Sequence, residues 1–427
     1  MSRHPSRAAR VGAGAVVLAL AAAGALPFVH AVRAWPLSGD DVTLDNFTAK
    51  TTNGGALVIA HAEFVNTNLT KDEIEQLLTP TTPGADEREL LAKLKADQIS
   101  IPSITIDSRD SAQDSVEARL SDFVATGVDG GKVASLSVGG LEASGTDKDG
   151  PISIKAGALK LDGLDASAAL QTTTEPEEAL QKARLGALTW SGLDFVGPDA
   201  SEKPAKALHL SIGSIEIRSD YAGDVFKQGS TKATGLVFEP APDSSAGKSL
   251  ASLGYAKVAL AVSVGATYEA DAKTLSLDDF TVDGADMGSV TLKGNFSDVA
   301  PALFAADEAA RMQALDESGV VSLELKLVNA GLFEKALAFY AKQQGADPEA
   351  LRKQAAAVVG EMAPMLLGGD AAALKAAGEA QKFIESPKNL TIALKAKNGA
   401  LKAADFMAMS DPAAFAGKVD VSATANQ

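Results

Sequence analysis

The chain has 427 residues, of which 46% are hydrophobic and 22% are charged, and 38 are glycine. This composition is typical of a globular protein of two or three domains and excludes wholesale disorder, collagen and long coiled coils. The net charge of −16 disfavours nucleic acid as a partner, because an acidic surface repels phosphate backbones.

Residues 1–31 are predicted to form a signal peptide or a membrane anchor. Arg3, Arg7 and Arg10 precede an apolar run over residues 11–29, and no acidic residue stands before that run. This order is typical of an export leader. Since the run is close to the ~20 residues that cross a bilayer, its length does not decide between cleavage and retention. We expect a bacterial periplasmic protein, anchored in the inner membrane or soluble after cleavage.

Cysteine is absent from the chain. Disulfides, thiolate catalysis, zinc-thiolate sites and acylation at cysteine are therefore excluded. If the protein is tethered to a membrane, we expect the tether to be the N-terminal segment.

Residues 32–300 are predicted to form a β-rich region that contains internal repeats. GALKLDGLD at 157–165 and GALTWSGLD at 186–194 agree at six of nine positions, and SLSVGGLE at 135–142 is a weaker copy. LDNFT at 44–48 and LDDFT at 277–281 form a second pair. We interpret the unit as an amphipathic strand, a glycine turn and a further apolar residue. The predicted fold is α+β and mainly antiparallel β, with a long bent sheet.

Two helical segments interrupt the strand pattern. An inserted helical hairpin is predicted near 70–97, where Thr70 and Glu73 form a capping box and Pro80 and Pro83 separate the helices. A helical region is predicted over 301–387, with one strand at 320–328 inside it. A closing β segment is predicted at 388–427.

The mature body offers few residues for catalysis. His61 and His209 are its only histidines and stand in no catalytic or metal-binding motif, so we interpret both as ordinary strand or surface residues. Trp190 is expected in the core, because Leu161 occupies its position in the sister repeat. Residues 239–248 are interpreted as a solvated loop. The chain is therefore predicted to be no enzyme and to need no cofactor or metal.

The C-terminal helices carry an apolar constellation. Packing on the sheet is the simpler explanation for it, and the alternative hypothesis is a groove for an acyl chain. The candidate lining residues are Leu332, Phe333, Leu337, Tyr340, Met362, Met365, Leu366 and Phe383.

An N-terminal span followed by glycine-punctuated repeats such as GALKLDGLD, GALTWSGLD and GSVTLKGNF resembles the AsmA/TamB-like envelope proteins. The resemblance covers the leader and residues 42–296, and no family site transfers residue by residue. It implies an inner-membrane anchor, a β-rich periplasmic body with an apolar groove, and a role in lipid transport or envelope upkeep.

The expected function is that of a non-catalytic periplasmic protein which contacts lipid or acts as a scaffold. The expected partners are lipid acyl chains or other envelope proteins. Two alternatives are a secreted or surface protein-interaction module, and a hydrolase with an unrecognised carboxylate pair about 5 to 10 Å apart.

Overall fold

The fold is mainly antiparallel β, with helices inserted between the strands. The computed structural model describes residues 39–50, 55–79, 85–109, 115–147, 149–172, 183–199, 201–223, 225–305, 307–366, 371–407 and 412–427. It is 56% strand and 27% helix, which confirms the predicted α+β class with a long antiparallel sheet. The predicted leader at 1–31 lies outside the described residues.

The chain divides into two compact units, Met1–Arg218 with Gly235–Ser245 and Ser219–Thr234 with Ala246–Gln427. In the first unit the strands are β1 Asp40–Lys50, β2 Ala56–Thr67, β3 Lys95–Arg109, β4 Ser115–Asp129, β5 Lys132–Val138, β6 Gly140–Asp147, β7 Gly150–Ala156, β8 Leu159–Asp165 and β9 Arg184–Asp199. Strands β10 Lys206–Ala222 and β11 Val225–Pro240 contribute residues to both units. The second unit contains β12 Val258–Glu269, β13 Thr274–Gly284, β14 Gly288–Ser297, β15 Gly319–Asn329, β16 Asn389–Ala396 and β17 Val419–Ala425.

Strands β1 to β4 pair in sequence order, each antiparallel to the next. Strand β4 then pairs with both β5 and β6, which share one strand position. Strands β8 and β7 share the following position, and β9 pairs with both of them and with β10. At each shared position, two short strands follow one another in place of one long strand. The break between them falls at Gly139 or at Gly157.

The repeat glycines interrupt the alternation of side chains between the two faces of a strand. Side chains in a strand alternate between faces, so apolar residues three apart would normally face opposite sides. Gly163 has a left-handed φ of 63° and stands between Leu161 and Leu164, both of which are nevertheless buried. The predicted glycine turn is therefore wrong: the glycine lies inside the strand and keeps the apolar residues on either side of it on one face.

These left-handed residues line up across neighbouring strands of the first unit with the breaks between half-strands and with residues directly opposite them, and they form two lines that we call creases. The first crease passes through residues in β1, β4 and β9 and between the half-strands: Asn46, Asp122, Gly139, Gly157 and Gly192. The second passes through Asn66, Gly127, Ala134, Gly163 and Gly186. Each of the two closely matching copies, at 157–165 and 186–194, has one glycine in each crease, which explains why its two glycines keep the same spacing.

An apolar column lies beside the first crease and supplies much of the core. Its members in successive strands are Leu44, Ala62, Ile101, Phe123, Val138, Leu159, Trp190 and Ile215. Leu44, Ala62, Ile101 and Val138 are buried. Trp190 lies in the apolar column, as expected for a core residue, but its side chain is only half-buried.

Three helices close one side of this core: α1 Lys71–Leu78, α2 Ala85–Lys93 and α3 Ser167–Thr172. The predicted capping box at the start of α1 is confirmed, because Thr70 accepts from the Glu73 amide and the Glu73 carboxylate accepts from the Thr70 amide. A hydrogen bond from Lys93 and the Thr70 contacts lower the pKa of Glu73 to about 2. The helical insertion is confirmed and ends earlier than predicted, since β3 begins at Lys95.

The second unit is a meander of β12 to β17 with a helical insertion. The helices are α4 Ser245–Ser252, α5 Glu308–Glu317, α6 Leu332–Gln344, α7 Pro348–Leu366, α8 Ala371–Glu385, α9 Ala403–Met407 and α10 Pro412–Ala416, with a 3₁₀ turn at Pro301–Phe304. The predicted strand at 320–328 is β15. The solvated loop predicted at 239–248 is wrong, because β11 runs to Pro240 and α4 begins at Ser245. The Glu202 carboxylate accepts from the Ser245 amide at 2.8 Å, a long-range contact that local sequence does not show.

Candidate apolar site

A continuous apolar face crosses β12 to β17 in the second unit. Residues directly opposite one another in an antiparallel pair point to the same face. The first row of such partners is Val262, Val282, Val290, Leu327, Leu390 and Ala425. The second row is Val264, Phe280, Leu292, Leu325, Ile392 and Ala423.

Helix α8 covers the β16 and β17 end of this face. Ala376 of α8 packs with Leu390 and Ala425 in one buried cluster, and Leu327 and Phe383 contact that cluster. Ala373, Ala376 and Ala377 are all buried, which gives α8 a flat alanine surface that can approach the sheet closely. The face at β16 and β17 is therefore part of the core.

The same face at β12 to β14 is more open. Phe280 is 37% exposed and Val290 is 41% exposed, although both lie in the rows that α8 covers further along. Val262, Val264, Val282 and Leu292 beside them are half-buried. We call these six residues the open face. Contiguous apolar surface of this kind usually marks a binding site.

An aromatic cluster bounds one end of the second unit's sheet. The Phe304 ring lies 4.9 Å from both the Tyr268 and the Phe226 rings, and Tyr221 contacts Phe226 at 6.0 Å. The Tyr268 hydroxyl donates to the Val299 carbonyl at 2.9 Å, and burial raises the pKa of this tyrosine. The cluster fixes the 3₁₀ turn against β12.

Tyr255 and Lys335 lie at the opposite end of the second unit's sheet. The Tyr255 hydroxyl donates to the Asp286 carbonyl at 3.1 Å, and the Lys335 ammonium lies 3.5 Å from the centre of the Tyr255 ring. A cation over an aromatic face at this distance is attractive. The contact ties the start of α6 to the turn that follows β13.

The residues predicted to line a groove are only partly brought together. Phe333 and Phe383 contact each other at 6.1 Å, and Phe383 packs on the α8 cluster. Leu337 is half-buried, whereas Leu332, Tyr340 and Met362 are 44%, 56% and 54% exposed. The side chains of Met365 and Leu366 lie outside the described residues. The sheet residues of the open face were not predicted, although LDDFT at 277–281 contains one of them, Phe280.

A small cleft lies between α8, α10 and β17. It is lined by Ala373, Phe415, Val419 and neighbouring residues, and its volume of about 20 Å³ has room for about one water molecule. It is too small for an acyl chain and does not include the open face.

Both described histidines contact carboxylates on neighbouring strands. His61 Nδ1 lies 2.8 Å from Asp45 Oδ1, and His209 Nε2 lies 2.9 Å from Asp194 Oδ2. In the part of the chain that the structure describes, no group of three or more His, Asp or Glu residues is arranged to hold a metal ion.

A model of an uncharacterised protein family matches residues 281–426, about a third of the chain. The matched segment lies within the second unit and contains β14 to β17 and helices α5 to α10. No curated protein matches the chain. Within the described ranges, no helix combines the length and the hydropathy needed to cross a membrane.

Proposed function

We propose that this protein is a non-catalytic, lipid-contacting protein of the bacterial envelope, whose open face binds the acyl chain of a lipid. The observation that carries the proposal is the exposure of Phe280 and Val290 within rows whose members on β16 and β17 pack in the core. In the proposed arrangement the protein is periplasmic, and residues 1–31 either anchor it in the inner membrane or are cleaved.

An acyl chain fits this surface by its chemistry. The open face has apolar side chains at all six positions and therefore gives a ligand little opportunity for directed hydrogen bonds from side chains. The open face extends about 7 Å along β12, from Val262 to Val264, and about 10 Å across the three strands β12 to β14. A hydrocarbon chain needs only apolar contact and gains free energy in proportion to the area it removes from water.

The resemblance to AsmA/TamB-like proteins also supports lipid as the ligand. In the proposal, the helices that were predicted to line a groove form the border of the site and not its floor. Phe383 and α8 form the covered border of the site, and β12 to β14 form its floor.

The test compares two substitutions at adjacent residues of β14. Val290→Glu places a carboxylate on the open face, where its partial exposure allows the protein to fold. Thr291→Glu is the matched control, because Thr291 points to the opposite face and lies across from Lys326. We expect Val290→Glu to reduce bound lipid about tenfold, since a charge in an apolar site is costly, and Thr291→Glu to leave it unchanged.

The measurement is native mass spectrometry and lipid extraction of the full chain purified from the cell envelope. Equal lipid in both variants would show that the open face does not bind it. No lipid in the wild-type protein, together with unchanged envelope permeability after deletion of the gene, would reject the proposed function altogether.

A further inference from the structure

His209 lies between two carboxylates that belong to the strands on either side of it. Its Nε2 atom is 2.9 Å from Asp194 Oδ2 on β9, and its Nδ1 atom is 3.6 Å from Glu239 Oε2 on β11. All three residues belong to the first unit. Both ring nitrogens therefore face an acid, and one imidazole spans three adjacent strands.

His61 provides a natural comparison within the same unit. Its Nδ1 atom lies 2.8 Å from Asp45 on the neighbouring strand, and no second carboxylate is placed at its other nitrogen among the described ion pairs. His61 is about half exposed, and His209 is 37% exposed. The two histidines differ mainly in the number of acids they contact.

We infer that His209 is a pH-operated clamp that holds β9, β10 and β11 together when its imidazole is protonated. In the protonated form both ring nitrogens carry hydrogens and each can donate to one carboxylate. In the neutral form only one nitrogen can donate. The carboxylates of Asp194 and Glu239 then face each other across an uncharged ring, and their repulsion favours separation of the strands.

The other charged groups near this position lie one strand away from the imidazole or have contacts of their own. Lys155 on β7 pairs in register with Asp194, so it is one strand further from the imidazole. Lys206 on β10 is paired with Asp243. Glu202 is engaged with Ser245 at the start of α4. The acids that face the His209 ring are thus Asp194 and Glu239, and the imidazolium is the cation between them.

The direction of the pH dependence follows from the same contacts. The hydrogen bond with Asp194 raises the pKa of His209 above its usual 6.5, and Glu239 adds to the increase. A group whose pKa is raised by folding contributes its full stabilisation below 6.5 and loses it as the pH rises through the raised value. The clamp is therefore closed in mildly acidic medium and released in alkaline medium. This pH dependence does not require a lipid at the open face of the second unit.

Hydrogen exchange on the full chain tests the clamp. Exchange of peptides from β9 and β11 is measured at about pH 5.5 and about pH 8.5 and corrected for the intrinsic pH dependence of exchange. We expect the corrected exchange rate of β11 to be about two- to fivefold lower at the lower pH. A factor of this size corresponds to the free energy that an exposed ion pair contributes. His209→Gln should abolish the difference and the matched variant His61→Gln should retain it.

Proton NMR gives a second readout that does not depend on strand opening. The chain has four histidines, so the His209 resonance can be assigned by substitution. Its titration midpoint should lie above 6.5 and fall in both Asp194→Asn and Glu239→Gln. A pH effect on β11 that survives His209→Gln, or a midpoint unchanged by both acid substitutions, would overturn the inference.

Discussion

At the scale of single residues, the first unit depends on left-handed backbone at defined places within its strands. Gly163 and Gly192 have φ values of 63° and 80°, and Asn46, Asn66 and Asp122 adopt similar values in neighbouring strands. Glycine reaches this region without steric cost, and asparagine and aspartate reach it more easily than other residues. The residue types found in the creases are those that the backbone conformation permits.

Substitutions at Gly163 should follow this conformational preference. There is room for a side chain, since a Cβ atom would meet Gly186 at an ordinary 3.8 Å, so backbone strain decides the outcome. We expect Gly163→Ala to lower the free energy of unfolding by about 1 kcal/mol, Gly163→Val by more and Gly163→Asn by the least. Thermal unfolding followed by tryptophan fluorescence measures this series. Equal losses for Ala, Val and Asn would contradict a role for φ.

At the scale of secondary-structure elements, α8 separates the covered part of the apolar face from the open part. Its buried alanines lie against β16 and β17, and the Glu379 carboxylate on the same helix accepts from the Ala425 amide at 2.9 Å. That bond satisfies a backbone donor at the end of the last strand, and the Lys382 hydrogen bond together with the Ala425 amide lowers the pKa of Glu379. Helix α8 is therefore fixed both by apolar packing and by a charged contact.

Two substitutions on α8 should have very different effects on stability. Ala376→Leu inserts a larger side chain where Ala376 is 5% exposed, and overpacking should cost about 1 to 3 kcal/mol. Leu374→Ala removes a side chain that is 58% exposed, and the change should stay within about 0.5 kcal/mol. Urea unfolding monitored by circular dichroism compares the two. If Ala376→Leu proved as stable as the wild type, α8 would not be closely packed on the sheet.

At the scale of the whole molecule, the sequence combines an acidic body with a basic, apolar N-terminal segment. The net charge of −16 favours a soluble body that stays away from anionic head groups. The proposed lipid contact through the open face would then rely on apolar burial rather than on charge. This combination suits a protein that takes up single lipid molecules more than one that lies on a membrane surface.

Cell fractionation with N-terminal sequencing tests the proposed location. We expect the body on the periplasmic side of the inner membrane. A mature chain that begins after Ala31 would identify a cleaved leader, and retention of the leader in the membrane fraction would identify an anchor. Recovery of the chain with its leader intact in the cytosol would exclude both forms of the proposal.

Local signals in the sequence determined the element types. The capping box at Thr70 and Glu73 and the helical periodicity after Pro348 are short-range features, and the helices formed where they indicated. Alternating apolar residues with glycine punctuation likewise indicated an antiparallel β protein, because a half-buried strand needs one apolar face. The repeat can be recognised in the sequence from GALKLDGLD and GALTWSGLD. Its structural role, which is to place glycines in the creases, follows only from the register of the strands.

Only the tertiary structure decided which residues meet. The creases exist because strand registers place Gly157 beside Gly192 and Gly163 beside Gly186, and register depends on contacts far apart in the chain. The open face arises because α8 covers β16 and β17 but leaves Phe280 and Val290 partly exposed. His209 acquires two acids 15 and 30 residues away along the chain through the pairing of three strands. These features depend on long-range geometry, which a local pattern of residue types does not encode.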